Sequence, residues 1–288
     1  MEDKKEKKVS TKTKILIIVG ILLFIVGSLL WARFISTRGL QVKEIKIDAP
    51  TLNEAYDGLK IVQFADVHYG STIHKKEMDK IVETINKQNA DIVVFSGDLI
   101  ENKVVLNEEE VQYLIDSLNK IEAKIEKYAV KGNHDYDHDY FDKIMPETDF
   151  VLLNNSYDYF YKDTDTPIVF TGLDDNWQGK PDYKSAFSFL QEFEEQPYTI
   201  LLLHEPDQVD ELNEYKFDLA LAGHSHLGQV RFPLIGSIYT VKGAKKYPDD
   251  HYKVNNGDLY VSGGIGTSTM KLRFFNKPSI SLYRFYTK

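Results

Sequence analysis

Five short strings, spread over more than half of the chain, limit what it can fold into. They are Asp66-Val67-His68, Gly97-Asp98, Gly132-Asn133-His134-Asp135, the lone His204, and Gly223-His224-Ser225-His226. Each sits beside a glycine or at the end of an apolar run. Taken singly, an aspartate or histidine at a strand end is more often a satisfied polar group than a ligand. Together they form the donor set of a two-metal hydrolytic site, and the fold has to gather them.

The apolar pattern supplies a way to do so. Lys60–Ala65, Ile92–Ser96 and Tyr128–Lys131 read as strands, and each ends at one of the strings. Between them, residues 75–89 carry Met78, Ile81, Val82 and Ile85 at helical spacing, and residues 108–125 do the same with Val111, Leu114, Ile115, Leu118 and Ile121. A strand–helix alternation of this kind gives right-handed parallel units, with ligand sites beyond the carboxyl ends of the strands. Further on, Phe150–Leu153, Ile168–Gly172, Thr199–Leu203 and Leu219–Ala222 read as short strands. Helical stretches are expected near 183–195 and 207–215. Beyond 227 the texture is strand and turn, with the cluster Gly263-Gly264-Ile265-Gly266 making a tight turn. His74 is expected to start a helix and His251 to lie in a surface loop. The aromatic run at Tyr157, Tyr159, Phe160 and Tyr161 reads as strand packing.

The chain of 288 residues has no cysteine, so thiolate ligands and disulfides are excluded. A metal here must use imidazole, carboxylate and amide, a set that suits zinc, iron, manganese or nickel. Net charge is -9, with six lysines against three acids in residues 1–14, so the remainder carries -12. A body this acidic argues against nucleic acid as a partner.

Ile15 to Ala32 is a run of 18 residues without a charge, which Phe34 and Ile35 extend past Arg33. At about 1.5 Å per residue it nearly crosses a hydrocarbon core of about 30 Å. A cleaved signal peptide and a retained anchor are the two readings. The run exceeds the usual signal core, and no A-x-A-like site follows it, which favours a single-pass anchor. The lysines before it favour a cytoplasmic N-terminus and an exported body. The chain then divides into a basic tail (1–14), a transmembrane anchor (15–35), a connector with a first strand (36–58) and a catalytic domain (59–288).

Side chains two apart in an extended segment share a face, so Asp66 and His68 are expected to chelate one ion, with His224 and His226 a second such pair. Asp98 could bridge two ions, one through each oxygen. The five strings, in order and spacing, resemble those of the calcineurin-like metallophosphoesterases over about residues 59–270. The resemblance implies an α/β fold, a four-layer α/β/β/α sandwich. It also implies two divalent metal ions, one held by Asp66, His68, Asp98 and His226 and the other by Asp98, Asn133, His204 and His224. A metal-bridging hydroxide then attacks a phosphate ester in line, and His134 covers the leaving oxygen. An acid should orient His134, and Glu101 stands where the family has an aspartate, with Asp135 an alternative. The segment Glu101-Asn102-Lys103 lacks the family's phosphate-gripping arginine, which counts against phosphoprotein phosphatase activity. With its anchor and its Gly172-Leu173-Asp174-Asp175 segment, the chain looks most like the membrane-associated bacterial branch. That branch includes cell-wall-associated YkuE-type phosphoesterases and enzymes hydrolysing UDP-2,3-diacylglucosamine, so a lipid- or wall-linked phosphate ester is the expected substrate. Two alternatives are a non-catalytic scaffold of the same fold and a cytoplasmic-face hydrolase of lipid-linked pyrophosphates.

Overall fold

The computed structural model describes residues 10–254 and 257–288. The first nine residues of the basic tail expected at 1–14 lie outside the described residues. Thr11–Phe34 forms a helix, α1, capped by the Ser10 hydroxyl, which accepts the backbone N–H of Thr13. It is apolar all round, and most of it stands clear of the rest of the protein until Ala32 is buried. Among the described residues it is the one helix long and apolar enough to cross a membrane.

Gln41–Asp48 is β1. The alternating pattern then gives Lys60–Phe64 (β2), Lys75–Asn86 (α2), Ile92–Ser96 (β3), Glu108–Asn119 (α3), Glu126–Val130 (β4), Tyr140–Ile144 (α4) and Val151–Leu152 (β5). His74 is the N-cap of α2, as expected, and its backbone N–H donates to Glu77. At the start of α3, Asn107 and Glu110 exchange side-chain-to-backbone hydrogen bonds, satisfying two otherwise orphaned donors. The second half contributes Ser156–Phe160 (β6), Ile168–Gly172 (β7), Tyr183–Ala186 (α5), Tyr198–Leu202 (β8), Leu219–Ala222 (β9), Arg231–Phe232 (β10), Gly236–Ser237 (β11), His251–Val254 (β12), Gly257–Val261 (β13) and Ser279–Tyr286 (β14).

These strands build two six-stranded sheets, ordered β1-β14-β2-β3-β4-β5 and β12-β13-β9-β8-β7-β6, plus the β10–β11 hairpin. Strands β2 to β5 are parallel, as are β7, β8, β9 and β13. The last strand, β14, returns to insert between β1 and β2, antiparallel to β2. Alternation on each strand sends one set of side chains between the sheets: Ile61, Ile92, Val94 and Tyr128 meet Phe170, Ile200, Leu202 and Leu221. The opposite face of the first sheet carries α2, α3 and α4 through Met78, Ile85, Leu114 and Phe141. The outer face of the second sheet is covered by Phe187, Phe189, Val209 and Leu212. The result is the expected four-layer α/β/β/α sandwich.

The outermost layer on the second sheet departs from expectation. In place of helices at 183–195 and 207–215 there is the four-residue α5, followed by 3-10 turns at Ser188–Gln191 and Pro206–Glu211. Phe187 leaves the helical region at φ -105°, ψ 17° and is buried, while Asp207 accepts backbone N–H groups from Lys245, Lys246 and Tyr247. Tertiary contacts thus override the local helical spacing. His251 lies on β12 rather than in a loop, 2.6 Å from Asp258.

Candidate metal centre

Every ligand-bearing string begins where a strand stops. After β2, Asp66 and His68 have φ of 53° and 45°; after β3, Gly97 and Asp98 have 89° and 62°; after β9, His224 and His226 have 65° and 46°. The expected extended pairs Asp66/His68 and His224/His226 are therefore corrected: these segments curl in the left-handed region. Such backbone costs of order 1–3 kcal/mol per residue and is held in place by its surroundings. Here the hold is specific. The His68 N–H donates to the Asp98 carbonyl at 3.1 Å, and the His224 N–H donates to Asp66 Oδ1 at 2.9 Å.

The seven expected ligands are all buried; six of them fall into groups of close donor atoms, and Asn133 lines the same cavity. Asp66, His68 and His226 form one group of donor atoms, Asp98, His204 and His224 another, and His68, Asp98 and His134 a third. Asp98 joins them. Its Oδ2 lies 3.6 Å from His68 Nε2 and 3.2 Å from His204 Nε2, while its Oδ1 accepts the His134 backbone N–H at 2.8 Å. A single oxygen, rather than one for each side, faces both groups. Asn133 Oδ1 is buried with no hydrogen-bond partner, and so is Asp66 Oδ2.

Outer contacts fix which ring nitrogens point inward. His204 Nδ1 donates to the Ser96 carbonyl at 2.7 Å, leaving the Nε2 lone pair toward Asp98. His224 Nε2 donates to the Lys242 carbonyl at 2.7 Å, leaving Nδ1 inward, 3.3 Å from His204 Nε2. His68 Nδ1 pairs with Glu101 at 2.9 Å, leaving its Nε2 inward, 3.0 Å from His226 Nε2. Lone pairs this close need a proton or a cation between them. Convergent imidazole nitrogens, two carboxylates and an unpartnered amide oxygen are a donor set that fits a pair of divalent ions.

Electrostatics within the centre follow from burial and mutual charge. Burial raises the Asp66 carboxyl to about 6, with Asp98 adding to the rise. Burial also acts against the charged form of Asp98, but His204 and His134 outweigh it and hold the carboxylate well below its usual range. Asp98 in turn raises His204 well above an ordinary histidine against the effect of burial. His224 is lowered to about 4 by burial and by His204, and His226 falls well below the usual value through burial, His68 and Arg273.

His134 stands beside these groups, its ring edge-on to His68 at 4.8 Å. The Asn102 backbone N–H donates to its Nδ1 at 3.2 Å, so the neutral ring carries its proton on Nε2, which faces Ser268 Oγ at 3.4 Å. Neither acid expected to orient this ring bonds to it. The longer Glu101 side chain reaches across to His68. The Asp135 carboxylate, wholly buried, accepts backbone N–H groups from Asp98, Leu99 and Gly132 and so ties two ligand loops together. The carboxylate nearest His134 Nδ1 is Asp137, at 3.7 Å.

Two contributors escaped the sequence reading. Arg273, wholly buried, donates to the Gly263 and Gly266 carbonyls and lies 3.2 Å from His226 Nδ1. Glu205, next to His204, accepts the Asn176 N–H and has its carboxyl raised to about 8, by burial first and then by Asp175. The Pro after Glu205 and the Phe-Phe after Arg273 gave no hint of a site. The centre opens into a cavity of about 670 Å³, whose wall includes His134, Trp177, Gln178, Lys242 and, from α1, Leu29.

Residues 59–228 match the model of the calcineurin-like phosphoesterase family. An uncharacterized metallophosphoesterase of Bacillus subtilis, YkuE, is 31% identical over 256 residues, covering 88% of this chain and 88% of that one. An uncharacterized metallophosphoesterase of Helicobacter pylori is also 31% identical, over 87% of this chain and 66% of its own length. The UDP-2,3-diacylglucosamine pyrophosphatase LpxG of Chlamydia trachomatis is 23% identical, over 88% of this chain and 92% of that one.

Proposed function

The chain belongs to the calcineurin-like phosphoesterase family and is a metal-dependent phosphoesterase; from that premise we propose a membrane-anchored dimetal enzyme that cleaves a phosphate ester or pyrophosphate by in-line displacement. Asp66, His68, Asp98 and His226 would hold one ion, and Asp98, Asn133, His204 and His224 the other, with manganese, zinc or iron suiting the donors. The observation that carries this reading is Asp98 Oδ2, set between His204 and His68 with lone pairs converging from both sides.

When bound, such an ion pair supplies a water of lowered pKa and neutralises charge developing at phosphorus. The protein's own groups do the rest. The Ser96 and Lys242 carbonyls and the Glu101 carboxylate hold three imidazoles in the ligating tautomer. His134 presents its Nε2–H to the cavity and can donate a hydrogen bond to the departing oxygen, stabilising the charge that develops there. Trp177 and Lys242 stand on the wall, the ammonium 5.1 Å from the indole centre, placed to meet the substrate's leaving portion.

Residues 15–35 would form a retained anchor, with 59–288 the catalytic domain on the exported side. The apolar circumference of α1 supports this, and the activity printed for the chlamydial relative supports a lipid-linked substrate. The full chain in detergent should hydrolyse bis(p-nitrophenyl) phosphate or p-nitrophenyl phosphate with manganese or zinc and stop on chelation; no turnover with manganese, zinc or iron rejects the enzyme reading. Protease shaving of intact cells should remove the body, and full protection would place it in the cytoplasm.

A further inference from the structure

We infer that the face around the exit of α1 docks onto the lipid bilayer, so that the cavity of the metal centre opens sideways into a leaflet and takes a phosphate ester carried on a lipid. The inference rests on the anchoring of α1 proposed above. Three independent features lead to it.

The first is depth. Leu29 of α1 lines the same cavity as His68, Asp98 and His226. It lies inside the uncharged run that ends at Ala32 and five residues before Phe34, hence about 7.5 Å along the axis from the helix end. A helix that places its apolar run in hydrocarbon carries the cavity rim down to the same level.

The second is the rim itself. Val230, Ile238, Val241, Met270 and Leu272 line the cavity together with Leu29 of α1. Ile238 and Met270 are exposed, and so are Leu234, Ile235, Tyr239 and Phe275 on the same two loops. Those loops are fastened to the helix: Trp31 meets Phe274 edge-on at 5.5 Å, the Arg273 N–H donates to the Ala32 carbonyl at 3.1 Å, and Phe232 packs on Phe274 at 5.2 Å. Large apolar side chains gathered beside an apolar helix form one continuous surface that water covers poorly.

The third is charge. Where α1 leaves its apolar run, a second cavity of about 400 Å³ is lined by Arg33, Arg38, Lys76 and Lys80, with Glu77 the one acid among its lining residues. On a chain whose residues beyond 14 carry -12, four basic side chains at the level of a membrane surface are complementary to anionic phospholipid headgroups. Apolar loops below and a basic groove above are the profile of an interfacial surface. The substrate's acyl part would stay among the rim side chains while its phosphate reaches Asp98 and His134.

The absence of cysteine makes the test direct. The full chain carrying Leu234→Cys, labelled with an environment-sensitive nitrobenzoxadiazole dye, is reconstituted into phosphatidylcholine vesicles with and without phosphatidylglycerol. Asp163→Cys, exposed in the turn between β6 and β7 at the far end of the strands, is the control. The expected result is a blue-shifted emission at 234 that bilayer-embedded spin-labelled lipid quenches, with position 163 unaffected. Replacing Arg38 and Lys76 by Gln should abolish any strengthening by phosphatidylglycerol. An aqueous signal at 234 in protein that floats with the vesicles overturns the docking surface while leaving the anchor intact. A blue shift that lipid quencher does not touch assigns the patch to a protein contact and equally overturns it. Protein that fails to float overturns the anchor, and the docking inference with it. Hydrolysis of bis(p-nitrophenyl) phosphate by the labelled chains reads the metal centre separately from all of these.

Discussion

The Glu101 carboxylate stands 2.9 Å from Nδ1 of His68, the nitrogen remote from the centre, and so turns His68 Nε2 inward toward Asp98. A carboxylate behind a ligating histidine fixes its tautomer and raises its basicity, and losing such a partner typically costs about 10–100-fold in metal affinity. Glu101→Gln should therefore weaken retention of one ion by about tenfold or more, read by chelator competition, with turnover at saturating metal changed much less. Unaltered metal affinity would mean the contact has no part in the site.

In the proposed centre Asp98 serves both ions, its Oδ2 facing His68 and His204. Asp98→Asn removes the charge that His68 and His204 share, so metal content measured by elemental analysis should fall by at least one ion per chain. Turnover should drop on the order of 1,000-fold, the scale of losing a main electrostatic stabiliser. A variant with two ions still bound would show that the bridge lies elsewhere.

His134 shares a third donor group with His68 and Asp98, but the part proposed for it is to offer its Nε2–H to the leaving oxygen. His134→Ala should retain both ions while turnover falls between about 100-fold and 10,000-fold, more for poor leaving groups than for nitrophenolate, which departs without protonation. Equal losses for both kinds of substrate would remove that role.

How closely the loops approach can be tested without touching a ligand. A Cβ at Gly132 would lie 2.6 Å from the Asp98 backbone nitrogen and 2.8 Å from His204 Cε1. Gly132→Ala should cost about 1–3 kcal/mol in stability by overpacking, seen in chemical denaturation, and should lower metal affinity as well. Full retention of both would contradict the packing described around Asp98.

Much of this architecture was legible because apolar periodicity marks strands and helices, and each polar string falls where a strand must stop. The proposed donors Asp66, His68, Asp98, Asn133, His204, His224 and His226 follow from the order of the five strings and the family resemblance they carry, and the structure gathers all but Asn133 into groups of close donor atoms. The left-handed backbone at five of these residues could not be read in this way, because nothing local distinguishes a curled Asp-Val-His from an extended one; the hydrogen bonds that hold it come from other loops. Arg273 was hidden for the same reason, since its partners, Gly263, Gly266 and His226, are brought to it by the return of the chain into β14. Glu101 was noticed for its position, but its reach to His68 depends on one extra methylene measured against a fold. The turns replacing helices near 188 and 207 reflect burial of Phe187 and the ties of Asp207, both long-range.

The most direct measurement is anomalous diffraction from crystals of the manganese-loaded full chain. Two peaks about 3.5–4 Å apart, one on each side of Asp98 and ringed by the other six ligands, are the expected result. A single peak, or peaks away from Asp98, would contradict the two-ion centre on which the proposed chemistry depends.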